Sequence, residues 1–246
     1  MAVVEYGVRN GVATIALNRP QVLNASNLEM KRLLLRFFAE AESDESVRAI
    51  ILIGTGRAFC SGGDIKESAG FSLKAYQFAI RQQHRVCAAI RNSDKPAIAA
   101  INGYALGGGL EMAMMCDIRI AATSARFETP VLTAGSVATG ALYHQLVLTI
   151  GLSRTALMAL SAEPVDAIEA ERIGLVSRVV EDAALPEAAD RLARKIGSHL
   201  PLGVALCKRA LRQAAELTFD AALELDEELA LTSRKKNARS KNRPAA

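Results

Sequence analysis

The stretch that decides the fold runs from Ile98 to Asp117 and reads Ile-Ala-Ala-Ile-Asn-Gly-Tyr-Ala-Leu-Gly-Gly-Gly-Leu-Glu-Met-Ala-Met-Met-Cys-Asp. Residues 96–101 are small and apolar, which predicts a strand buried on both faces, and the Asn-Gly pair after them is a turn signal. Residues 110–116 are apolar almost all round, as expected of a short helix within a core. Glu111 is the exception. Because burial disfavours a charged carboxylate, we expect Glu111 to serve a function.

Three glycines, residues 107–109, stand at the start of this predicted helix. Free backbone N–H groups and the helix dipole favour negative charge on a ligand at such a position. The pattern predicts an oxyanion site at the Gly108 amide, with Glu111 one turn further on and facing the same way. The alternative is that the glycines only allow close helix packing and that Glu111 caps its own helix.

A second glycine-rich stretch, residues 58–66, reads Ala-Phe-Cys-Ser-Gly-Gly-Asp-Ile-Lys and follows another predicted buried strand, residues 49–53. Two such loops can each present one N–H to a common oxygen, which is the geometry that a thioester or enolate oxyanion needs. Together the two motifs resemble the crotonase, or enoyl-CoA hydratase/isomerase, superfamily. The resemblance extends from residue 12 to about residue 215.

The resemblance implies an α/β fold, a crotonase-like spiral of ββα units with C-terminal helices. We therefore predict a spiral core at residues 1–185 and a helical region for trimerisation and pocket closure at residues 186–233. A basic tail, residues 234–246, is expected to be disordered. The resemblance also implies a homotrimer or a dimer of trimers that binds an acyl-CoA substrate.

The family's site residues carry over to matching positions. The amides of Ser61 and Gly108 would hold the thioester oxygen, and Glu111 matches the first of the two catalytic glutamates of hydratases. The remaining matches predict contacts with the acyl group or the CoA moiety at Gln21, Val22, Leu23, Ala58, Gly62, Gly63, Asp64, Ile65, Gly107 and Val131. No metal is expected, and no cofactor other than the CoA thioester that is the substrate.

Residues 127–131 depart from the hydratase pattern. Hydratases have Phe-x-x-Pro-Glu here, ending in the second catalytic glutamate, whereas this chain reads Phe-Glu-Thr-Pro-Val and has Val131 at that position. Glu128 is a poor substitute, because it lies three residues earlier and an odd shift in an extended segment points a side chain to the opposite face. The family's following proline and paired glycines are also lost, which predicts a more apolar pocket floor.

Hydration of a 2-enoyl-CoA to a 3-hydroxyacyl-CoA is the predicted activity, with Glu111 serving both proton transfers. The loss of one general acid/base typically lowers a rate by about 10²–10⁴-fold. Decarboxylation of a malonyl-type thioester, such as methylmalonyl-CoA, is the alternative. It forms an enolate without a second base, and an apolar surface such as Val131 favours loss of the carboxylate. Other crotonase-type enolate chemistry and a non-catalytic CoA- or RNA-binding role are further alternatives.

Residues 72–92 predict one long helix whose middle is polar. His84 lies in that middle and could face the acyl pocket, because the family's equivalent helix forms a wall of that pocket. A lone helical histidine is more often a surface residue.

Composition narrows the setting. The chain has 246 residues, 50% of them hydrophobic, which suffices for one domain with a sizeable core. The four cysteines form no close pair, and no apolar stretch approaches the roughly 18 residues that span a bilayer, so we expect a cytoplasmic protein with no membrane partner. The net charge of +4 is concentrated after Glu228. No aromatic residue is interleaved with those basic residues, so no nucleic-acid partner is expected.

Overall fold

The computed structural model describes residues 2–133 and 135–241. Its strands are β1 (Val4–Arg9), β2 (Val12–Leu17), β3 (Ala49–Gly54), β4 (Ala58–Cys60), β5 (Ala97–Ile101), β6 (Tyr104–Leu106), β7 (Ile118–Ala122), β8 (Arg126–Glu128), β9 (Val165–Asp166) and β10 (Arg178–Val180). Its helices are α1 (Leu28–Ser43), α2 (Ile65–Ser68), α3 (Leu73–Asn92), α4 (Gly108–Met115), α5 (Leu142–Ser161), α6 (Ala167–Arg172), α7 (Leu185–Gly197), α8 (Pro201–Gln213) and α9 (Phe219–Lys241). Two 3₁₀ turns lie at Pro20–Val22 and Asp182–Ala184.

The larger sheet has the strand order β1-β2-β3-β5-β7-β10. Strands β1 and β2 pair antiparallel through a hairpin whose two turn residues, Asn10 and Gly11, both have positive φ (52° and 77°). This is the conformation that an Asn-Gly hairpin turn requires. The remaining strands pair parallel. The central strands β3 and β5 are almost entirely buried, which explains their continuous apolar runs.

The smaller sheet has the order β4-β6-β8-β9, and its strands β4, β6 and β8 each directly follow a strand of the larger sheet. Thus β3-β4-α2 and β5-β6-α4 are successive ββα units, which confirms the predicted spiral. Strands β4, β6 and β8 are parallel neighbours. Because the carboxyl ends of parallel strands meet at one edge, the loops that follow these three strands come together there.

Helices cover both faces of the larger sheet. On one face α7 packs its Leu185, Ala189 and Ala193 against alternate strand residues such as Ile51 and Ile98. On the other face the side chains of α1, α3 and α4 form the main core with the smaller sheet. The side chains of Asn27 and Ser72 cap the starts of α1 and α3 respectively.

The C-terminal part of the chain is mainly helical. Gly151 interrupts helix α5 with φ 79° and ψ 161°. Helix α9 continues to Lys241, so residues 234–241 are helical where we expected a disordered tail, and residues 242–246 lie outside the described residues. Across the described part of the chain, every helix is too short or too polar to cross a bilayer.

Candidate active site

The two glycine-rich loops lie in direct backbone contact. A Cβ built on Gly109 would lie 2.1 Å from the Cys60 carbonyl oxygen, closer than any side chain can approach. A Cβ built on Gly62, whose φ is +101°, would lie 3.0 Å from the Leu106 oxygen and 3.5 Å from the Gly108 nitrogen. Only glycine fits at these two positions, and the fit brings residues 61–64 against the first turn of α4.

The Ser61 amide is not available to a ligand, which corrects the sequence assignment. Its N–H donates to the Leu23 carbonyl oxygen at 3.0 Å. The Ser61 hydroxyl also points to this segment and donates to the Val22 oxygen at 3.4 Å. Ser61 therefore attaches its loop to the segment before α1.

Gly63 has the free amide instead. Ser26 and Gly63 form an isolated parallel bridge, in which the Ser26 N–H donates to the Gly62 oxygen (2.7 Å) and the Asp64 N–H donates to the Ser26 oxygen (3.1 Å). Because neighbouring peptide groups alternate in an extended segment, the Gly63 N–H points away from Ser26. Its nitrogen lies 3.7 Å from a Cβ built on Gly108.

Gly108 is the first residue of α4, where a helix N–H has no intrahelical acceptor. Among the described residues, the N–H groups of both Gly63 and Gly108 lack a hydrogen-bond acceptor. The site therefore offers two adjacent free amides, those of Gly63 and Gly108. Gly63 lies two residues after Ser61, the residue that the sequence motif indicated.

Glu111 lies one turn after Gly108 and is 2% exposed. Its Oε1 accepts hydrogen bonds from the Thr139 N–H (2.7 Å) and the Thr139 hydroxyl (2.9 Å). Its Oε2 is buried and has no hydrogen-bond partner within the described residues. Gly140 packs against this oxygen, since a Cβ built there would lie 2.8 Å from Oε2. One oxygen of the carboxylate is thus anchored, and the other is left to act on a ligand.

Sequence reasoning did not identify Thr139 and Gly140. They lie 28 and 29 positions after Glu111 and belong to no motif. The loss of the family's paired glycines suggested an apolar floor, but the structure retains one glycine at the position nearest the carboxylate.

Gln83 and Cys87 on α3 face the same region. Gln83 is buried, and its Nε2 donates to the Gly108 carbonyl oxygen at 3.2 Å. Burial raises the pKa of the Cys87 thiol, and the nearby charge of Glu111 raises it further. Cys87 is therefore a neutral thiol and unsuited to act as a nucleophile. Gln83, which lies in the polar middle of the predicted helix, was not identified from sequence.

Lys31 on α1 is a buried charge that sequence reasoning also missed. Burial lowers the pKa of its ammonium group, and the charges of Glu67 and Glu111 only partly oppose that effect. In the sequence, Lys31 is only one polar residue among the apolar positions of a helix, and that pattern does not show that its side chain is buried.

Val131 lies beside the start of α4. Its Cγ1 is 3.7 Å from a Cβ built on Gly107, the residue whose carbonyl oxygen accepts the Glu111 N–H bond at 2.9 Å. Glu128 contributes its backbone, because its carbonyl oxygen accepts a hydrogen bond from the Gly107 N–H at 3.0 Å. Residue 131 thus lies near the predicted site, as the match of residues 127–131 to the family motif indicated.

Two of the predicted CoA contacts are occupied by structural interactions. Ala58 is 1% exposed, and its carbonyl oxygen accepts hydrogen bonds from Asn24 Nδ2 (2.8 Å) and Asn102 Nδ2 (3.2 Å), which leaves no surface for a ligand. The Asp64 carboxylate binds Arg19 at 2.7 Å and caps α2. Burial alone would raise the pKa of Asp64, but the hydrogen bonds and charge of Arg19 outweigh it and lower the pKa.

Of the other predicted CoA contacts, Gly62 and Gly107 are buried. Four further predicted contacts remain accessible. Gln21 is exposed, Val22 and Leu23 are half-buried, and Ile65 is 75% exposed although it is apolar. All four lie around the loop that carries Gly63. They border the amide pair without any role in the core.

A cavity of about 550 Å³ adjoins Glu111. It is lined by His84, Cys87, Ala88, Arg91, Asn92, Met115, Gly140, Ala141, His144, Gln145 and Glu216. His84 does face this cavity, as the family's helix geometry suggested. Two of the lining residues, Cys87 and Gly140, also pack next to the free oxygen of Glu111.

Comparison with known proteins gives a consistent result. Residues 7–244 match the family model described as enoyl-CoA hydratase/isomerase. The chain is 37% identical over 219 residues to the short-chain-enoyl-CoA hydratase of Clostridium acetobutylicum, covering 88% of this chain and 84% of that protein. It is 36% identical over 218 residues to the 2,3-dehydroadipyl-CoA hydratase of Escherichia coli, covering 89% and 85%. The crystal structure of an enoyl-CoA hydratase from Bacillus anthracis superposes with a TM-score of 0.90 at 30% identity, covering 93% of this chain and 89% of that one.

Proposed function

Since the chain belongs to the enoyl-CoA hydratase/isomerase family, we propose that it adds water to a 2-enoyl-CoA and forms a 3-hydroxyacyl-CoA. The observation that carries this proposal is the state of Glu111. Its carboxylate is fixed through Oε1 by Thr139, and its Oε2 is buried and free of partners among the described residues. A carboxylate in this state can accept a proton from a water molecule held in a fixed orientation.

In this mechanism the thioester oxygen lies between the Gly63 and Gly108 amides. Water gives a proton to Glu111 Oε2 while its oxygen bonds to the β-carbon of the acyl group. The electron pair of the double bond shifts, and the developing enolate oxygen is stabilised by the two amides, whose contribution grows with the charge. Glu111 then returns the proton to the α-carbon. One carboxylate serves both transfers, and the net change is the addition of one water.

Decarboxylation of a malonyl-type thioester is the second candidate. The observation in its favour is Val131, an apolar side chain near Gly107 where a hydratase has a carboxylate. Loss of CO₂ leaves the electron pair on the α-carbon as an enolate, which the same two amides would stabilise. An apolar surface favours the departure of the carboxylate because it removes water from that group.

One experiment separates the two candidates. The protein is incubated with crotonyl-CoA and with methylmalonyl-CoA, and the products are analysed by mass spectrometry. Gain of one water from crotonyl-CoA supports hydration, and loss of CO₂ from methylmalonyl-CoA supports decarboxylation. Glu111→Gln should lower the rate of hydration at least a hundredfold, since it removes the general base but keeps a side chain of the same shape. Hydration that survives in a folded Glu111→Gln protein would refute the mechanism.

We also propose a homotrimer or a dimer of trimers. Apolar side chains that a single subunit leaves exposed support this, and they include Leu148, Leu152, Leu157 and Leu160 on α5 and Leu211, Phe219 and Leu223 on α8 and α9. Large apolar side chains left exposed in such numbers are typical of protein interfaces. Light scattering at micromolar concentration should give three or six times the 26.2 kDa of one chain. A monomeric mass would contradict the proposal.

A further inference from the structure

Three acidic or basic side chains are buried in the described part of the chain, those of Lys31, Glu111 and Lys208. Lys208 forms an ion pair with Asp117, whose Oδ2 lies 2.6 Å from Lys208 Nζ. Lys31 and Glu111 take part in no ion pair with a described residue. Because an unpaired buried charge is costly, the fold bears a cost at both positions. The proposed reaction accounts for Glu111 but not for Lys31.

Lys31 lies beside the loop that carries the Gly63 amide. Ser26 forms the parallel bridge with Gly63, and Lys31 follows in the first turn of α1. Glu67 of α2 lies on the same side, since its carboxylate accepts a hydrogen bond from the Leu28 N–H at 3.0 Å. Leu28 and Lys31 are spaced i, i+3 and so are neighbours on the helix surface. The side chain of Lys31 is therefore buried between the start of α1 and the glycine-rich loop.

Two thiols show that Lys31 and Glu111 share one region of the core. Cys60 contacts the start of α4, and Cys87 Sγ and Glu111 Oε2 both lie within 2.9 Å of a Cβ position on Gly140. Burial raises the pKa of both thiols, the charge of Glu111 raises it further, and the charge of Lys31 lowers it. At Cys60 the effect of Lys31 exceeds that of Glu111, and at Cys87 the order is reversed. Lys31 is thus closer to the glycine-rich loop, and Glu111 is closer to α3.

The proposed reaction keeps one negative charge in this buried site and moves it. Before water adds, the charge is on Glu111. When Glu111 takes a proton from water, the electron pair of the double bond moves to the thioester oxygen, and the charge is then at the Gly63 and Gly108 amides. A fixed positive charge beside the Gly63 loop stabilises the second arrangement more than the first. Only such a difference accelerates a reaction.

We propose that the buried Lys31 ammonium group stabilises the enolate at the Gly63 and Gly108 amides, acting through its charge rather than by contact with the substrate. This inference rests on the proposed function, because it requires an enolate at the amide pair. It applies equally to hydration and to decarboxylation, since both reactions form that enolate. It also gives a reason for a buried charge that costs the fold stability.

The test compares an acidic and a neutral CoA thioester of the same acyl length. Acetoacetyl-CoA can lose a proton from its α-carbon to form an enolate, which is measured by its ultraviolet absorbance, whereas butyryl-CoA stays neutral and its Kd is measured by calorimetry. In Lys31→Met the ratio of enolate to neutral acetoacetyl-CoA on the protein should fall about tenfold at a given pH, because one nearby positive charge is removed. The Kd of butyryl-CoA should not change. Glu67→Gln should raise the enolate ratio, since it removes a negative charge near Lys31 and keeps an acceptor for the Leu28 N–H.

Arg32→Met is the matched control, because Arg32 follows Lys31 in the same helix, carries the same charge and is exposed. It should leave the enolate ratio unchanged. Lys31→Gln is a second neutral variant, which guards against a packing effect of methionine, and it should lower the ratio like Lys31→Met. An unchanged ratio in a folded Lys31 variant, or an equal weakening of both ligands, would overturn the role of Lys31. A wild-type protein that binds acetoacetyl-CoA as its enolate, shows the loss in Lys31→Met and yet does not hydrate crotonyl-CoA would refute the hydratase function and support the role of Lys31.

Discussion

Replacing Val131 by glutamate tests whether residue 131 faces the reacting carbons. Val131 Cγ1 lies 3.7 Å from a Cβ position on Gly107, at the start of the helix that carries Glu111. A glutamate at this half-buried position would extend its carboxylate toward the first turn of α4, where free N–H groups stabilise an anion by about 0.3–1 kcal/mol. The substitution should therefore be tolerated by the fold.

The expected gain follows from the division of proton transfers. In the wild-type protein Glu111 must first accept and then return the proton, whereas a second carboxylate lets one group activate water and the other protonate the α-carbon. Two neighbouring carboxylates also raise the pKa of one of them, which favours its acid role. A general acid/base contributes about 10²–10⁴-fold, and we expect about tenfold because the surrounding pocket is not shaped for the new group.

The assay follows the loss of the conjugated enoyl thioester absorbance of crotonyl-CoA. Val131→Gln is the matched control, with nearly the same size and no ability to transfer a proton, and it should show no gain. Glu111→Gln added to Val131→Glu should remove most of the activity. Decarboxylation of methylmalonyl-CoA, if the wild-type protein catalyses it, should fall in Val131→Glu because a negative charge would face the leaving carboxylate. If a folded Val131→Glu protein changes neither activity, residue 131 does not face the substrate and the alignment behind this reasoning is wrong.

Three further substitutions test other parts of the site. Gly108→Pro removes a free N–H at a helix position that tolerates proline, and it should lower kcat by about 10²–10³-fold. Gly108→Ala keeps the N–H, and its Cβ would lie at an ordinary contact distance of 3.6 Å from Gln83 Nε2. The alanine variant should therefore retain most activity. Circular dichroism checks folding, and a folded proline variant at full activity would rule out the amide pair. Gln83→Met removes the donor to the Gly108 oxygen, worth about 1 kcal/mol, so kcat should fall about fivefold with little change in KM; an equal rise in KM would indicate a binding role instead. Lys31→Met should raise the free energy of unfolding at pH 7 by about 1 kcal/mol or more, because it removes a buried charge whose pKa is lowered. In the wild-type protein this penalty is complete below the folded-state pKa of Lys31 and fades as pH rises toward the unfolded value of about 10.4, so the gain measured by urea unfolding should shrink between pH 7 and pH 10. A less stable methionine variant at pH 7 would show that the charge stabilises the fold.

The fold and the position of the site could be predicted because their signals are local. Apolar runs ending in glycine-rich loops mark buried strands, and the motif around Glu111 is specific. The choice between Ser61 and Gly63 could not be read locally. It depends on which N–H groups of the loop are bonded to Leu23 and Ser26, contacts that join segments more than 35 residues apart in sequence.

The partners of Glu111 were hidden for a related reason. Thr139 acts through its backbone N–H and hydroxyl, and Gly140 through the absence of a side chain, so neither belongs to a recognisable chemical pattern. Gln83 and Lys31 lie in helices where an occasional polar residue is ordinary. Only the packing of α1 and α3 against the site distinguishes them from surface positions.

The contact between Gly109 and Cys60 determines which positions of the site tolerate substitution. There is no room for even a methyl group at Gly109, so a side chain at this position would push the two amide-bearing loops apart. The opposite walls differ in this respect at Gln83 and Val131, which meet the site through their side chains. Substitutions at these two positions can therefore change the acyl group or the enolate reaction while the two amides keep their places.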